Sequence, residues 1–365
     1  MINLKHLLSE SKFIPIYLGR NGLNKDALGP HSVELHWTSS CNYDCVHCSY
    51  GMRRSEKERL ALSPEVIDSV INDLLVLKAA SVYISGGGEP TLIKRWATYI
   101  ETLIAGNIEV ALITNGVAIN DSNMDIIRRL NYIAISVYSV SEDEYKQITG
   151  SSFFGRQFLL PEKIKKGDSA TVVGARCVLN SINYKNMPAI YDRAMDSGYD
   201  YIIFIPAVDY EGRGIELGKE EMVHIKTQIE DNYHKFDFKR TNLDIIQKRN
   251  ISYYGKNDYR DDFIVKPERC YAIEIRGNAF INYDGGVYLC QPHIGNERYC
   301  IGNINEAGLK DIWNSQRHRK VLEKLNRDFS SGLCKNCRSI SFNRKADEYI
   351  HSASKAFEIV KDKFI

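Results

Sequence analysis

Between Val33 and Pro206, short apolar runs alternate with helical patterns, and this alternation limits the possible folds more than any other feature of the chain. The runs are 33–37, 81–85, 108–113, 132–138, 170–179 and 201–205, with helices expected near 64–78, 92–105, 121–130, 141–148 and 186–197. Ser63 followed by Pro64 is a helix start, because the serine caps free backbone amides and proline suits the first helical position. Asp121, and Ser141 with Glu144 three residues on, read as further starts. Continuous apolar strands separated by helices make a parallel sheet covered by those helices. Six such units are too few for a closed eight-stranded barrel. In parallel β/α folds the chemistry collects at the C-terminal ends of the strands.

The residues after the first strand are Thr38-Ser39-Ser40-Cys41-Asn42-Tyr43-Asp44-Cys45-Val46-His47-Cys48. A loop that curls back on itself can aim these three thiolates at one centre. Three cysteines leave one iron of a four-iron cluster open to an outside ligand. Structural zinc takes four protein ligands, usually from C-x2-4-C pairs, and a disulfide would leave one of the three unpaired. The whole chain of 365 residues has nine cysteines and no stretch resembling a signal peptide or a membrane span, so metal or redox use is a better reading than a disulfide framework. A cytoplasmic location follows from the same reasoning. A net charge of +2 gives no pull toward nucleic acid or an anionic membrane.

The spacing C-x3-C-x-aromatic-C, with His47 in the aromatic slot, resembles the cluster loop of the radical SAM superfamily. That resemblance implies a partial (β/α)6 TIM-like barrel over 33–206, one three-cysteine [4Fe-4S] cluster on Cys41, Cys45 and Cys48, and S-adenosylmethionine on its open iron. Gly86-Gly87-Gly88-Glu89-Pro90 at the end of the second strand is similar to the segment that contacts the amino end of the cofactor's methionine portion. Glycines there admit close backbone approach, and Glu89 is expected to take the amine. By the same resemblance Thr114, Asn115 and Ser136 face the ribose and carboxylate. Arg176, Cys177 and Asn180 end the fifth strand, where a polar residue meets the cofactor, and strand phase decides which points inward. Ile205-Pro206 is expected against the adenine. Tyr43, His47 and Tyr50 read as packing around the cluster loop.

A second constellation lies in the last hundred residues: Cys270, Cys290, Cys334 and Cys337. Asp284-Gly285 between apolar runs signals a hairpin with Cys290 on its returning strand. The order of Gly277-Asn278, Asp284-Gly285, Gly302-Asn303-Ile304 and Cys334-x-x-Cys337 resembles the twitch module, the short form of the SPASM extension, an α+β unit whose four cysteines hold an auxiliary [4Fe-4S] cluster. A four-cysteine zinc site shares that spacing. No cysteine follows Cys337, so a second auxiliary cluster is not expected. The expected organisation is a lead-in at 1–32, the barrel at 33–206, a connector at 207–266 that also walls the active site, the cysteine-rich module at 267–343 and a terminal helix at 344–365.

The chemistry this resemblance implies is reductive cleavage of S-adenosylmethionine to a 5′-deoxyadenosyl radical, fed by a flavodoxin- or ferredoxin-like donor. The expected reaction is dehydrogenation or epimerisation of a small polar metabolite such as a sugar, amino-cyclitol or amino acid, with the auxiliary cluster accepting an electron. The alternative is maturation of a ribosomally made peptide by thioether or carbon–carbon crosslinking or epimerisation. An electron carrier or zinc-stabilised binding module has no use for an open iron beside Gly-Gly-Gly-Glu-Pro. The spare Cys300 and Cys177 are candidates for a thiol that returns a hydrogen atom, as an epimerase needs, against the plainer reading of buried packing residues.

Overall fold

The computed structural model describes residues 13–24, 27–50, 60–167, 169–209, 212–248, 269–332 and 340–351. Six parallel strands, β1 (Ser32–His36), β2 (Ser81–Ser85), β3 (Glu109–Thr114), β4 (Tyr132–Ser136), β5 (Val172–Leu179) and β6 (Tyr201–Pro206), form an unclosed α/β partial barrel. After the lead-in helix α1 (Phe13–Arg20), the covering helices are α2 (Pro64–Val76), α3 (Trp96–Ala105), α4 (Met124–Ile127), α5 (Glu142–Thr149), α6 (Arg156–Lys165) and α7 (Met187–Asp196).

The start of α2 is as the sequence predicts: Ser63 accepts a hydrogen bond from Val66 N and Pro64 opens the helix. The other two starts differ. Asn120, not Asp121, caps the turn Asp121–Asn123, in a reciprocal box with Asn123. Ser141 makes no side-chain capping bond, and the expected box does not form: Ser141 N donates to Ser139 Oγ (2.8 Å) and Glu144 Oε2 accepts from Asn186 Nδ2 (2.6 Å). The helix expected from 92 begins only at Trp96, since Arg95 stands in a left-handed conformation (φ 65°). Helix α6 is missing from the sequence reading; it runs through Pro161, a residue that disfavours a helix interior, and Phe158, Leu160 and Ile164 face the core.

Strand phase sorts the side chains. Val33, Leu35, Val82, Ile84, Val173, Ala175 and Cys177 point outward into the layer beneath the helices and are fully buried there. The concave face receives Glu34, His36, Tyr83, Ser85, Tyr132, Ser136, Gly174, Arg176 and Tyr201, an unusually polar lumen for a parallel barrel.

The sheet does not stop at β1. Strand β7 (Asn278–Ile281) pairs in parallel with β1, Val33 opposite Ala279, and continues into β8 (Gly286–Tyr288) and β9 (Cys300–Asn303) as antiparallel strands. The result is one nine-stranded sheet in the order β6-β5-β4-β3-β2-β1-β7-β8-β9. Gly285 (φ 87°) makes the expected Asp-Gly turn between β7 and β8. Cys290 lies two residues beyond β8 rather than within it.

At the other edge, the connector carries α8 (Lys219–Asp231) and α9 (Leu243–Lys248) and runs along β6. The Asn242 side chain accepts from Phe204 N (2.8 Å) and donates to Phe204 O (2.9 Å), substituting for a neighbouring strand. The connector therefore covers a sheet edge; among its described residues none lines the cavity described below.

Before β7 lies α10 (Tyr271–Glu274), and past β9 come α11 (Leu309–Trp313), α12 (Gln316–Ser330) and α13 (Ile340–His351); residues 352–365 of the expected terminal helix lie outside the described set. Tyr271 Oη donates to Asp347 at 2.7 Å and Ala272 N to Asn343 Oδ1 at 3.0 Å, which fastens α13 to the start of the cysteine-rich module. Among the described residues no helix is long and apolar enough to cross a membrane.

Candidate active site

The cysteine loop is anchored on three sides. At its entry, Trp37 is fully buried and its indole N–H donates to Pro90 O at 2.9 Å. In the middle, Ser40 O accepts from Glu89 N at 2.8 Å. Its far side hangs on the last turn of α5: Asp44 N donates to Thr149 O (2.8 Å) and Val46 N to Ile148 O (2.9 Å), carbonyls that a helix end leaves free. Within the loop, Cys48 N donates to Cys45 O at 3.1 Å and Tyr43 N points at the Cys41 sulfur at 3.4 Å. The backbone is thus held by the fold before any ligand binds.

Cys41, Cys45 and Cys48 all line one cavity of about 280 Å³ at the C-terminal ends of the strands. Gly86, Gly87, Gly88 and Glu89 form its second wall, and Thr114, Asn115 and Ser136 complete it. Four unforeseen residues join them: Ile113, Tyr138, Ser49 and Val178. Tyr138 packs edge-on against His47 with 4.7 Å between ring centres, and burial holds the His47 imidazole at about 4, a neutral ring. Tyr43 and Tyr145 share a short hydroxyl contact behind the loop.

These residues fit an open-iron cluster with its ligand. Three thiols converge on one cavity, and no three His, Cys, Asp or Glu side chains among the described residues gather closely enough for a single ion. Thiols spread along a wall suit the corners of a cluster better than a tetrahedral zinc shell. The glycine run beside them presents bare backbone to a ligand.

Glu89 joins two walls of the cavity. It is 3% exposed, and both its oxygens are already engaged. Oε1 accepts from Thr91 N (3.0 Å), Thr91 Oγ (2.5 Å) and Thr114 Oγ (2.7 Å), and Oε2 from Asn115 N (2.8 Å). Burial pushes this carboxyl upward and the four donors oppose that shift; a site with four donors is built for the carboxylate. Its role in this geometry is to tie the end of β2 to the end of β3. Asn115 Nδ2 then donates to Asn42 Oδ1 at 2.6 Å, carrying the tie into the cysteine loop.

All three glycines of the run are required sterically, Gly86 because a Cβ there would lie 2.1 Å from Gly88 O. A Cβ on Gly88 would lie 2.0 Å from Ser40 O, backbone of the cysteine loop. A Cβ on Gly87 would lie 2.3 Å from the Tyr283 ring, which reaches over from the turn of the β7–β8 hairpin. Tyr283 thereby sets the C-terminal module directly against the cofactor wall. Overpacking of this kind typically costs about 1–3 kcal/mol. Gly88→Ala is expected at the top of that range, because backbone must move, and Gly87→Ala lower, because a ring can tilt. Urea unfolding of the two variants checks the order, and equal or reversed losses would contradict the reading.

The remaining site candidates fall elsewhere. Pro90 is buried behind the wall, its carbonyl on Trp37. Asn180 is fully buried and spends its side chain on Ile182 N and Val178 O. Arg176 is half-buried, in register with Ser136 and in phase with Val178, both of which line the cavity. Cys177 points outward under the helices, where Asn183 Nδ2 approaches its sulfur at 3.8 Å and burial pushes the thiol far up. Cys300 donates its S–H to Gly302 O at 3.1 Å within β9. Neither spare thiol lines the cavity, so the structure offers neither as a hydrogen donor to a ligand there. In the second cysteine set, Cys270 is buried with Asn343 Nδ2 at 3.4 Å from its sulfur, Cys290 is half-buried, and Cys334 and Cys337 lie outside the described residues.

Sequence reasoning missed the lumen, although β1 carries its signal: Ser32-Val33-Glu34-Leu35-His36 alternates polar and apolar. Glu34 Oε1 accepts from Ser85 Oγ at 2.6 Å and lies 2.9 Å from His36 Nε2. Despite the burial that opposes it, the His36 and Ser85 hydrogen bonds and the Arg176 charge bring the Glu34 carboxyl down to about 2. A carboxyl depressed below its unfolded value adds stability that is complete at neutral pH and fades as pH falls from about 4.5 toward 2. Glu34→Gln is therefore expected to flatten the acid-unfolding curve within that window, read by circular dichroism; an unchanged curve would mean the carboxylate is solvated.

Comparison with known proteins agrees with this architecture. Residues 35–194 match the model of the radical SAM superfamily, and residues 270–338 match SPASM, an iron–sulfur cluster-binding domain. The chain belongs to the radical SAM superfamily and carries a C-terminal SPASM module. It is an enzyme whose cofactors are a SAM-binding [4Fe-4S] cluster, an auxiliary iron–sulfur cluster and S-adenosylmethionine. It is 24% identical to the Fe-coproporphyrin III synthase of Methanosarcina barkeri over 83% of this chain and 77% of that protein. It is 22% identical to the mycofactocin maturase of Mycolicibacterium smegmatis, over 83% and 74%. Among solved structures it resembles Streptococcus suis SuiB bound to its precursor peptide SuiA, with a TM-score of 0.62, 13% identity, and coverage of 92% of this chain and 76% of that one.

Proposed function

We propose that this enzyme is a maturase that acts on a ribosomally made peptide, forming a crosslink or inverting a stereocentre at an unactivated carbon. The observation that carries this reading is the likeness to a named maturase running through both the barrel and the cysteine-rich module. The precursor-peptide complex of SuiB, matched in fold over nearly the whole chain, supports it. This reading replaces the small polar metabolite expected from the sequence.

S-adenosylmethionine bound at the first cluster supplies, on one-electron reduction, the hydrogen-abstracting 5′-deoxyadenosyl group. The chain's own residues do the rest. Cys41, Cys45 and Cys48 hold the cluster, and backbone of Gly86–Gly88 receives the methionine end of the cofactor. Glu89 and Asn115 lock that wall to the cysteine loop, while Thr114 and Ser136 present hydroxyls to the cavity. Cys270, Cys290, Cys334 and Cys337 hold the auxiliary cluster, and a flavodoxin- or ferredoxin-like protein supplies the electron.

The test is anaerobic turnover of the reconstituted enzyme with S-adenosylmethionine, dithionite and the peptides encoded by short reading frames beside its gene. A peptide that stimulates 5′-deoxyadenosine release and loses the mass of two hydrogens, or changes residue chirality, is the expected result. Stimulation by a sugar or amino-cyclitol and by none of the peptides would overturn the reading.

A further inference from the structure

Inversion of a stereocentre needs a hydrogen atom returned to carbon, and neither spare thiol stands where it could supply one. Cys177 lies under the helices and Cys300 in β9, both away from the cavity wall. Cys41, Cys45 and Cys48 are committed to the cluster. The hydroxyls of Ser49, Thr114 and Ser136 line the wall, but an alcohol holds its hydrogen more tightly than carbon does. A phenol O–H, like a thiol S–H, is weaker than an aliphatic C–H, so transfer from it to a carbon radical runs downhill.

The described wall includes Tyr43, Tyr50 and Tyr138, and their surroundings differ. Tyr43 is buried and its hydroxyl meets that of Tyr145 behind the cysteine loop. Tyr138 is buried against His47, with its hydroxyl bonded to Ser136. Tyr50 is half-buried and stands where β1 meets β7, across the cavity from Thr114, Ser136 and Val178 at the ends of β3, β4 and β5. Its ring is gripped from two sides. His36, at the end of β1, packs edge-on at 5.8 Å between ring centres, and Tyr283, from the β7–β8 turn, does so at 6.3 Å. Tyr50 Oη lies 3.4 Å from His36 Nδ1. The far nitrogen of His36 is held 2.9 Å from Glu34 Oε1, which also accepts from Ser85 Oγ at 2.6 Å. A side chain whose neighbours are themselves locked by hydrogen bonds is held in one place, as a reacting group must be.

We propose that Tyr50 is a catalytic residue, the hydrogen-atom donor to a carbon radical formed in this cavity, with His36 and Tyr283 as positioning residues that hold its ring. The assignment commits the proposed peptide chemistry to inversion of a stereocentre and rests on that reading only for the identity of the substrate. The hydrogen first removed from the substrate stays on 5′-deoxyadenosine. The Tyr50 O–H bond then breaks, a new C–H bond forms on the substrate, and an oxygen-centred radical remains on Tyr50. One electron from the flavodoxin- or ferredoxin-like donor and one proton from solvent restore the hydroxyl. A hydrogen removed on the β3–β5 side and returned from the β1–β7 side reaches the opposite face of the carbon, which inverts it.

The experiment uses the reconstituted holoenzyme with S-adenosylmethionine alone, reduced by dithionite in deuterated water, so that the 5′-deoxyadenosyl group stands in for the substrate radical. Deuterium at C5′ of the released 5′-deoxyadenosine is measured by mass, and freeze-quenched samples are read by electron paramagnetic resonance. Iron content and S-adenosylmethionine affinity confirm that each variant is assembled. Wild type is expected to place deuterium at C5′ and to show a tyrosyl radical. Tyr50→Phe should lose that signal and roughly tenfold or more of the deuterium, because a donor fixed in the cavity outcompetes one arriving from solvent. His36→Leu should keep the radical and change its β-proton hyperfine splitting, which follows the angle of the ring about Cβ–Cγ and which a merely structural role would not move. Deuterium absent in wild type, retained in Tyr50→Phe, or lost instead in Tyr43→Phe or Tyr138→Phe would overturn the assignment. With the encoded peptides present, solvent deuterium on the inverted carbon is the expected result. A peptide that loses two hydrogens and gains no deuterium would overturn the donor and keep the maturase reading. A sugar or amino-cyclitol that gains deuterium in wild type and none in Tyr50→Phe would keep the donor and defeat the maturase reading instead.

Discussion

Replacing Cys41, Cys45 and Cys48 together by alanine is expected to abolish 5′-deoxyadenosine formation and to lower the iron content of the reconstituted protein from about eight per chain to about four, the content of one remaining four-iron cluster. The loop that carries these residues is held by Trp37, Ser40, Asp44 and Val46 through backbone and indole bonds that no thiol takes part in. The triple variant should therefore keep its fold, and the loss should be one of chemistry alone. Cleavage of S-adenosylmethionine that persists under dithionite would refute the assignment of the three ligands. A remaining metal content of one zinc in place of four irons would make the C-terminal set a zinc site.

Glu89→Ala carries the second large effect, and its character separates two accounts of the residue. If the carboxylate mainly holds the cofactor's amine, affinity falls and stability is kept. If it mainly joins β2 to β3, the variant leaves Asn115 N, Thr91 N and two threonine hydroxyls without their common acceptor in a buried place. Unsatisfied buried donors cost about 1–3 kcal/mol each and do not add fully. A stability loss of ~3 kcal/mol or more is expected, with S-adenosylmethionine binding falling as the wall loosens. Glu89→Gln should lose less, since it keeps one acceptor oxygen in the same space. Urea unfolding and cofactor titration on both variants make the distinction. Native stability with weakened binding would return Glu89 to direct ligand contact.

Arg176 shares the phase of Val178 and pairs in register with Ser136, and both of these line the cavity.

What the sequence determined by itself is whatever depends on neighbours along the chain. Alternating strands and helices, the three-cysteine spacing, the glycine run and the Asp-Gly turn are local patterns, and each appears where those patterns place it. The departures share one physical cause. Whether Arg176, Cys177 or Asn180 faces inward depends on strand phase against β4 and β6, which the apolar run does not record. The hydrogen bonds that Glu89 accepts from Thr114 and Asn115, twenty-five and twenty-six residues on, leave no mark along the chain. The expected Ser141–Glu144 box does not form, since Ser141 N is held by Ser139 and the Glu144 carboxylate by Asn186. The pairing of β7 with β1, which sets Tyr283 on Gly87 and makes the cysteine-rich module part of the barrel's own sheet, joins residues about 245 positions apart. Local chemistry chose the elements and supplied the reactive groups; long-range pairing decided which of those groups face the cavity, because only the closed packing of the sheet sets the phase of each strand and the partners of each buried charge.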